Sequence, residues 1–334
     1  MSFRASSPVL LGAIALVYVV AGTLGLSLAY VNESTSAVWP PAGIAVASLL
    51  VFGRRVWPAI AAGALLVNVG TSIGILPSLA IAIGNTLEGL AGAWLVERFA
   101  RGRAAFERTG DVLRFTGLAA IMAPAIAATI GVATLLAAGR AAAADAGEIW
   151  VTWWLGDAVG VVIAAPLLVL WAAPVRRRLA PRAALELLAI TVCVGAIGAI
   201  VFGGANLPEL RLSVGFLIVP VFLWAAFRFG ARASATVVAA VSVFAIAGTL
   251  RGLGPFVRSS PNESLLLLGS CVVVVTVMML SVSAQVAARL GVEEEMRALN
   301  QVLEARVAAR TEELTRVTDR LLEAQQVAHV GSWE

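Results

Sequence analysis

The sequence predicts an all-α protein: a polytopic transmembrane helix bundle of about ten spans with a C-terminal cytoplasmic coiled-coil helix. The first observation is the composition, which is 60% hydrophobic and only 13% charged, whereas a soluble domain has about a quarter of its residues charged. The second is that most charges lie in short clusters between apolar runs of roughly membrane-spanning length. The third is a charged, helix-prone segment that follows residue 289.

Arginine positions predict the orientation of the spans. With a cytoplasmic N-terminus, most arginines fall in inner loops, and the outer loops hold only Arg140, Arg211, Arg251 and Arg258. This asymmetry favours ten spans with both ends in the cytoplasm. The apolar run of the first span has no clear cleavage site after it, which indicates a retained helix. The ten apolar segments are 8–30, 37–52, 56–72, 77–97, 112–138, 150–172, 185–203, 212–227, 232–250 and 264–288.

Tryptophans lie near the ends of these segments, as an aromatic belt at the membrane interface requires. Trp39 and Trp150 are expected at outer ends, and Trp57, Trp94 and Trp171 near inner ends.

A heptad seam runs through the C-terminal segment and predicts a parallel, homodimeric coiled coil. The apolar spacing alternates between four and three residues, except for one stutter at Leu303 and Val307. The alternative is a single solvated amphipathic helix. The predicted domains are therefore a membrane domain at 1–289, a signalling coiled coil at 290–327 and the start of a further fold at 328–334. The seam comprises Val292, Met296, Leu299, Leu303, Val307, Arg310, Leu314, Val317, Leu321, Ala324 and Ala328.

The pattern Phe-Gly-x-Arg occurs twice, at 52–55 and at 229–232. Both copies are predicted at a cytoplasmic turn between two helices, in the same orientation. They are either a parallel internal repeat or a chance likeness.

Two carboxylates, Glu88 and Asp157, lie well inside apolar segments. Each costs about 2.5–3.5 kcal/mol on membrane-insertion scales unless it is compensated. Since no arginine lies in the middle of a span, the alternatives are protonation, hydrogen bonding, or binding of a cation or a cationic ligand. Ionisable groups in this position are typical of function, although hydrogen bonding between helices is the structural alternative.

The residues around these acids suggest a polar pocket between close-packed helices. Asn85 lies one turn from Glu88, and Trp153 and Trp154 precede Asp157 by four and three residues. Asn68 adds a further amide. Gly156 and Gly160 form a small-xxx-small pair that favours helix packing, and Trp39 with Pro40 and Pro41 starts a helix.

Other functions lack their signatures. The sequence contains no phosphate-binding glycine loop, no metal-ligand cluster and no nucleophile with its base, so we expect neither a catalytic site nor a cofactor. Cys193 and Cys271 fall inside apolar runs and suggest no disulfide framework. The net charge of +4 follows membrane topology and does not indicate nucleic-acid binding.

Four motifs occur in order: Trp-Pro-Pro-Ala-Gly at 39–43, Phe-Gly-Arg-Arg at 52–55, Gly-Asn-Thr-Leu-Glu at 84–88 and Trp-Trp-Leu-Gly-Asp-Ala-Val-Gly at 153–160. Over residues 8–288 the chain thereby resembles the membrane-associated sensor domain MASE type 1. The resemblance implies a bacterial input module of histidine kinases, diguanylate cyclases or phosphodiesterases. Residues 303–314 resemble a signalling helix, and residues 324–334 resemble the start of a PAS domain, with the output domain beyond it.

The sequence therefore predicts a sensory input module of a two-component or cyclic-di-GMP protein, with membrane lipid, a second copy and an unknown small ligand or membrane protein as partners. The main alternative is a proton- or cation-coupled transporter that uses Glu88 and Asp157. A third possibility is a structural anchor that only dimerises a cytoplasmic enzyme.

Overall fold

A computed structural model describes residues 7–30, 35–174, 181–203 and 216–327, except the side chains of 181–184 and 327. The all-α fold is confirmed: the described chain consists of helices joined by turns and short irregular segments. Contacts divide it into two units, Met1–Val286 and Ala287–Glu334. The helices are α1 (Pro8–Leu26), α2 (Pro40–Phe52), α3 (Trp57–Val69), α4 (Ile75–Phe99), α5 (Thr109–Phe115), α6 (Pro124–Ala137), α7 (Ala146–Ala172), α8 (Pro181–Phe202), α9 (Ile218–Leu250) and α10 (Pro261–Val327).

Seven helices in the described ranges are long and apolar enough to cross a membrane. Two predicted spans, 37–52 and 56–72, instead form helices of 13 residues each, or about 20 Å against a hydrocarbon core of about 30 Å. Two others, 212–227 and 232–250, are not separate helices where the structure describes them, because residues 218–227 and 232–250 belong to one long element, α9. The membrane-embedded character of the protein is thus supported, while the count of ten spans and the direction of the ends stay predictions.

Helix α2 lies at the centre of the first unit. Every residue from Pro41 to Leu50 is buried, as expected of a helix that is apolar on all sides. Its neighbours include α4 and α7, the two helices that carry the intramembrane acids. Gly89 of α4 packs against Ala45, and Gly43 lies directly against the backbone at Gly160 of α7.

The predicted span 112–138 is not one regular helix. A π-helical stretch, Thr116–Met122, follows α5, and Pro124 begins α6. A proline lacks the N–H that an α-helix would use at this position, so the ladder of hydrogen bonds must change before it.

Arginine contacts gather at one end of the first unit, near the ends of α2, α4 and α7. Arg54 pairs with Glu97 at 2.7 Å, and Arg103 donates to the Leu50 carbonyl at 2.8 Å. Arg232 donates to the carbonyls of Leu170 and Ala173. These arginines belong to loops that the sequence predicts to be cytoplasmic.

The two Phe-Gly-x-Arg turns share an unusual backbone conformation. Gly53 has φ 83° and ψ 170°, and Gly230 has φ 74° and ψ −164°. Only glycine adopts this region without strain. The likeness between the copies therefore extends to the backbone of the turn, and at Gly230 it bends α9.

The second unit contains the C-terminal part of α10, which is helical to Val327. Its seam side chains are exposed, including Leu303, Val307, Leu314 and Leu321. The predicted residues 328–334 lie outside the described residues.

Candidate functional site: a buried carboxyl pair

Helices α4 and α7 place Glu88 and Asp157 beside each other. Each residue lies near the middle of its helix, and the residues are 2% and 0% exposed, respectively. The two carboxyl groups are within hydrogen-bonding reach of each other. Two carboxylates at this distance repel strongly in a low dielectric, so the pair requires a proton or a cation.

Several oxygens at this pair have no hydrogen-bond donor among the described residues. They are both carboxyl oxygens of Asp157, Oε1 of Glu88 and Oδ1 of Asn85. A buried polar atom without a partner costs about 1–3 kcal/mol. One proton between the carboxyl groups would give an oxygen of each a partner.

Asn85 and Tyr18 extend the polar cluster toward α1. Asn85 is buried one turn from Glu88, as predicted, and its side chain lies beside the Tyr18 hydroxyl. Tyr18 is 1% exposed and within electrostatic reach of both acids. The sequence motifs did not point to Tyr18. The sequence feature that could have identified it is its position, since this tyrosine lies in the middle of an apolar span rather than at the membrane interface.

The indole of Trp39 lies next to the same hydroxyl, a contact that the sequence pattern does not indicate. The expected interfacial tryptophan is 7% exposed and lies inside the protein. Its ring packs over Gly22 and Gly25 of α1, where a Cβ at Gly25 would come within 2.8 Å of Cε3. The small side chains of α1 thus make room for the ring. Trp57, Trp94 and Trp171 are exposed, as an aromatic belt requires.

Trp153 is the tryptophan that faces Asp157. It is buried, its indole lies near the carboxyl group without donating a hydrogen bond to it, and its ring lies directly against Gly131 of α6. Trp154, also predicted for the site, is engaged elsewhere: its indole N–H donates to the Ile121 carbonyl at 2.8 Å, and its ring stacks on Trp150.

Asn68 also has a local partner. Asn68 is buried, and its Nδ2 donates to the Ala64 carbonyl of its own helix at 2.8 Å. This hydrogen bond engages the Asn68 amide within α3.

Gly156 and Gly160 allow the backbone before α2 to lie against α7. The Trp39 N–H donates to the Gly156 carbonyl at 3.0 Å. A Cβ at Gly156 would collide with the Ser36 carbonyl, and one at Gly160 with the Trp39 carbonyl. The predicted close approach to α7 therefore exists, and the segment that approaches is largely the extended chain before α2 rather than a helix. Pro40 and Pro41 occupy the first turn of α2, where a missing N–H costs nothing.

Two contacts join α7 to α10 on either side of Asp157. The buried Asn262 Nδ2 donates to Thr152 Oγ1 at 3.0 Å. Further along, a Cβ at Gly269 would come within 2.8 Å of Val159 Cγ2. A shift of α7 around Asp157 must therefore be accommodated by α10.

Residues 10–290, most of the chain, match the family model MASE1. No curated protein and no solved structure matches the chain. The chain belongs to the MASE1 family of membrane-associated sensor domains.

Proposed function

We propose that this chain is the input module of a bacterial signalling protein in the inner membrane and that the Glu88–Asp157 pair binds the proton that serves as the signal. Helix α10 would pass the response to a cytoplasmic output domain, a histidine kinase or a cyclic-di-GMP enzyme reached through a PAS domain. The observation that carries the proposal is the buried contact between these two acids with unpartnered oxygens on both.

Tight packing favours a proton over a larger ligand. Trp39 and Trp153, the tryptophans of the polar cluster, pack directly against glycines, and neither Gly25 nor Gly131 has room for a Cβ. Neither acid lines the outer cavity at Arg140, the groove at Leu87 or the apolar cavity between α8, α9 and α10. A proton or a small cation needs no such space.

A proton signal also requires two packings that differ in proton affinity. Helix α10 contacts α7 and can therefore respond differently to the two packings. Gain or loss of the shared proton changes the repulsion between α4 and α7, and Thr152 and Val159 lie on the same helix as Asp157 and contact α10. The response would then continue along α10 into its C-terminal segment, where a parallel dimer would present it to the output domain.

The experiment joins the chain, after Val327, to the kinase portion of a histidine kinase and measures autophosphorylation over a range of pH in membrane vesicles. We expect the activity of the parent fusion to depend on pH. Asp157→Asn and Glu88→Gln should each fix the activity at one level, because a single acid beside an amide has no second carboxylate to repel, whatever its own protonation state. Immunoblots of the membrane fraction test whether each variant is inserted.

Glu148→Gln is the matched control, since Glu148 is an exposed acid on the same helix as Asp157. It should retain the full pH response. An inserted Asp157→Asn variant with the parent's pH response would contradict the proposal.

A further inference from the structure

Helices α8, α9 and α10 enclose a cavity of about 310 Å³, separate from the carboxyl pair. Its walls include Phe202 of α8, Phe222, Val238 and Ala245 of α9, and Cys271 and Val272 of α10. The volume is at the lower end of the range of about 300–1,000 Å³ that is typical of small-molecule sites.

The lining of this cavity is hydrocarbon and aromatic. Among the described residues that line it, only Ser242 carries a hydroxyl group, which already donates to the Val238 carbonyl of its own helix at 2.8 Å. Phe202 stacks on Phe256, another lining residue, with ring centroids 6.3 Å apart. A charged or strongly polar ligand would lose its hydration here and find no partner among the described lining residues, whereas a hydrocarbon chain has no such hydration to lose.

The cavity is accessible from the lipid-facing side of these helices. Phe216 and Val219 line it and are exposed, and Cys271 is both exposed and part of the wall. In a membrane-embedded protein, exposed apolar side chains of this kind meet the acyl chains of the bilayer. A hydrocarbon chain can therefore enter without crossing water.

We propose that this cavity is a binding site for a single hydrocarbon chain drawn from the bilayer. The chain is either the acyl tail of a membrane lipid or that of a free fatty acid, which share the chemistry that the walls recognise. Because Cys271 and Val272 belong to α10, an occupant contacts the helix that leads to the C-terminal segment. The site does not depend on the Glu88–Asp157 pair and stands if that proposal fails.

The test uses the whole chain in phosphatidylcholine nanodiscs with a palmitate that carries a diazirine at mid-chain. After irradiation, mass spectrometry locates the adducts, which we expect on the walls at Phe222, Ala245 and Val272. Ala245→Phe places a ring in the cavity and should lower these adducts by about tenfold. Ala240→Phe is the control, because Ala240 is a half-buried residue of the same helix that does not line the cavity.

Alkylation of Cys271 gives a second measurement in case Ala245→Phe does not fold. In the Cys193→Ala background Cys271 is the sole thiol, since the chain has two cysteines. Palmitate should slow its alkylation. Adducts displaced by unlabelled palmitate alone would identify a free fatty acid, and adducts diluted in proportion to added phosphatidylcholine would identify lipid tails.

Displacement of the adducts by palmitate and their dilution by phosphatidylcholine both support the site. Adducts spread over all lipid-facing residues and unchanged by Ala245→Phe, together with alkylation of Cys271 that palmitate does not slow, would overturn it.

Discussion

Gly160 of α7 lies directly against the carbonyl of Trp39, and no side chain larger than hydrogen fits between them. The contact holds the entry to the buried helix α2 against the helix that carries Asp157. Since Trp39 itself lies beside Tyr18, this packing also positions the polar cluster around the carboxyl pair.

Gly160→Ala should destabilise the membrane domain. The added methyl group meets backbone rather than a flexible side chain, and overpacking of this kind costs at least about 1–3 kcal/mol. Thermal unfolding in detergent, followed by the loss of buried-tryptophan fluorescence, measures the effect. Gly147→Ala is the matched control on the same helix, because a Cβ there has open space. Equal stability of the two variants would show that the contact does not limit packing.

Glu88 and Asp157 should be energetically coupled. A double-mutant cycle with Glu88→Gln and Asp157→Asn is expected to give an interaction free energy of about 0.5–3 kcal/mol, since the two groups are in contact. Unfolding of the purified chain by sodium dodecyl sulfate in mixed micelles supplies the four free energies.

The control cycle pairs Glu88→Gln with Asp111→Asn. Asp111 is buried too, but it pairs with Arg114 at 2.9 Å at the arginine-bearing end. The changes in unfolding free energy caused by these two substitutions should be additive to within about 0.3–0.5 kcal/mol. Additivity in the Glu88–Asp157 cycle as well would exclude a direct interaction.

The sequence reveals those members of the cluster that lie on the same helix as one of the two acids. Glu88 and Asp157 stand out as acids in apolar runs, and Asn85 and Trp153 follow from helical spacing to each acid. In a helix, a residue at i−4 lies about 40° from residue i and one at i−3 about 60° away on the other side. Trp153 and Trp154 therefore fall on different flanks of Asp157, and only tertiary packing decides which flank faces the carboxyl pair.

Tyr18 and Trp39 belong to other parts of the chain, and their approach to the polar cluster depends on tertiary packing that no local pattern encodes. The same limit affects the span count. Hydropathy identifies α2 as an apolar segment, but an apolar helix at the centre of a membrane protein and one that faces lipid have the same composition. The structure distinguishes them, because Pro41 to Leu50 are all buried.

Asn262→Leu should weaken transmission from α7 to α10 in the kinase fusion. The change removes the donor to Thr152 and leaves a buried hydroxyl group without its partner, which costs about 1–3 kcal/mol. We expect a smaller amplitude of the pH response at an unchanged midpoint, because the carboxyl pair is untouched. Adding Thr152→Val should restore stability but not amplitude, since both polar partners are then gone.

Ser270→Ala is the control for that experiment. Ser270 is exposed on the same helix, and its hydroxyl group donates to the Leu266 carbonyl of its own turn. A response of full amplitude in Asn262→Leu would place the route elsewhere than at the Asn262–Thr152 hydrogen bond.

Proton flux through the protein should be absent. A coupled transporter needs a path from each side to its acids, and Glu88 and Asp157 line none of the three cavities discussed above. Vesicles that contain the chain and a pH-sensitive dye should respond to an acid pulse like empty vesicles. Faster acidification that disappears in Asp157→Asn would instead favour the transporter.

The C-terminal segment should dimerise through its heptad seam. Leu303 is exposed within one chain, and burying such leucines against a second copy is the usual gain in a coiled coil. Leu303→Asp should therefore shift the chain from dimer to monomer in nanodiscs, as measured by the mass of the complex in light scattering. Ala305→Asp is the matched control: Ala305 is exposed as well, but it lies about 200° around the helix from Leu303. A dimer that survives Leu303→Asp would show that the seam is solvated, and a dimer lost equally in both variants would attribute the effect to added charge rather than to the seam.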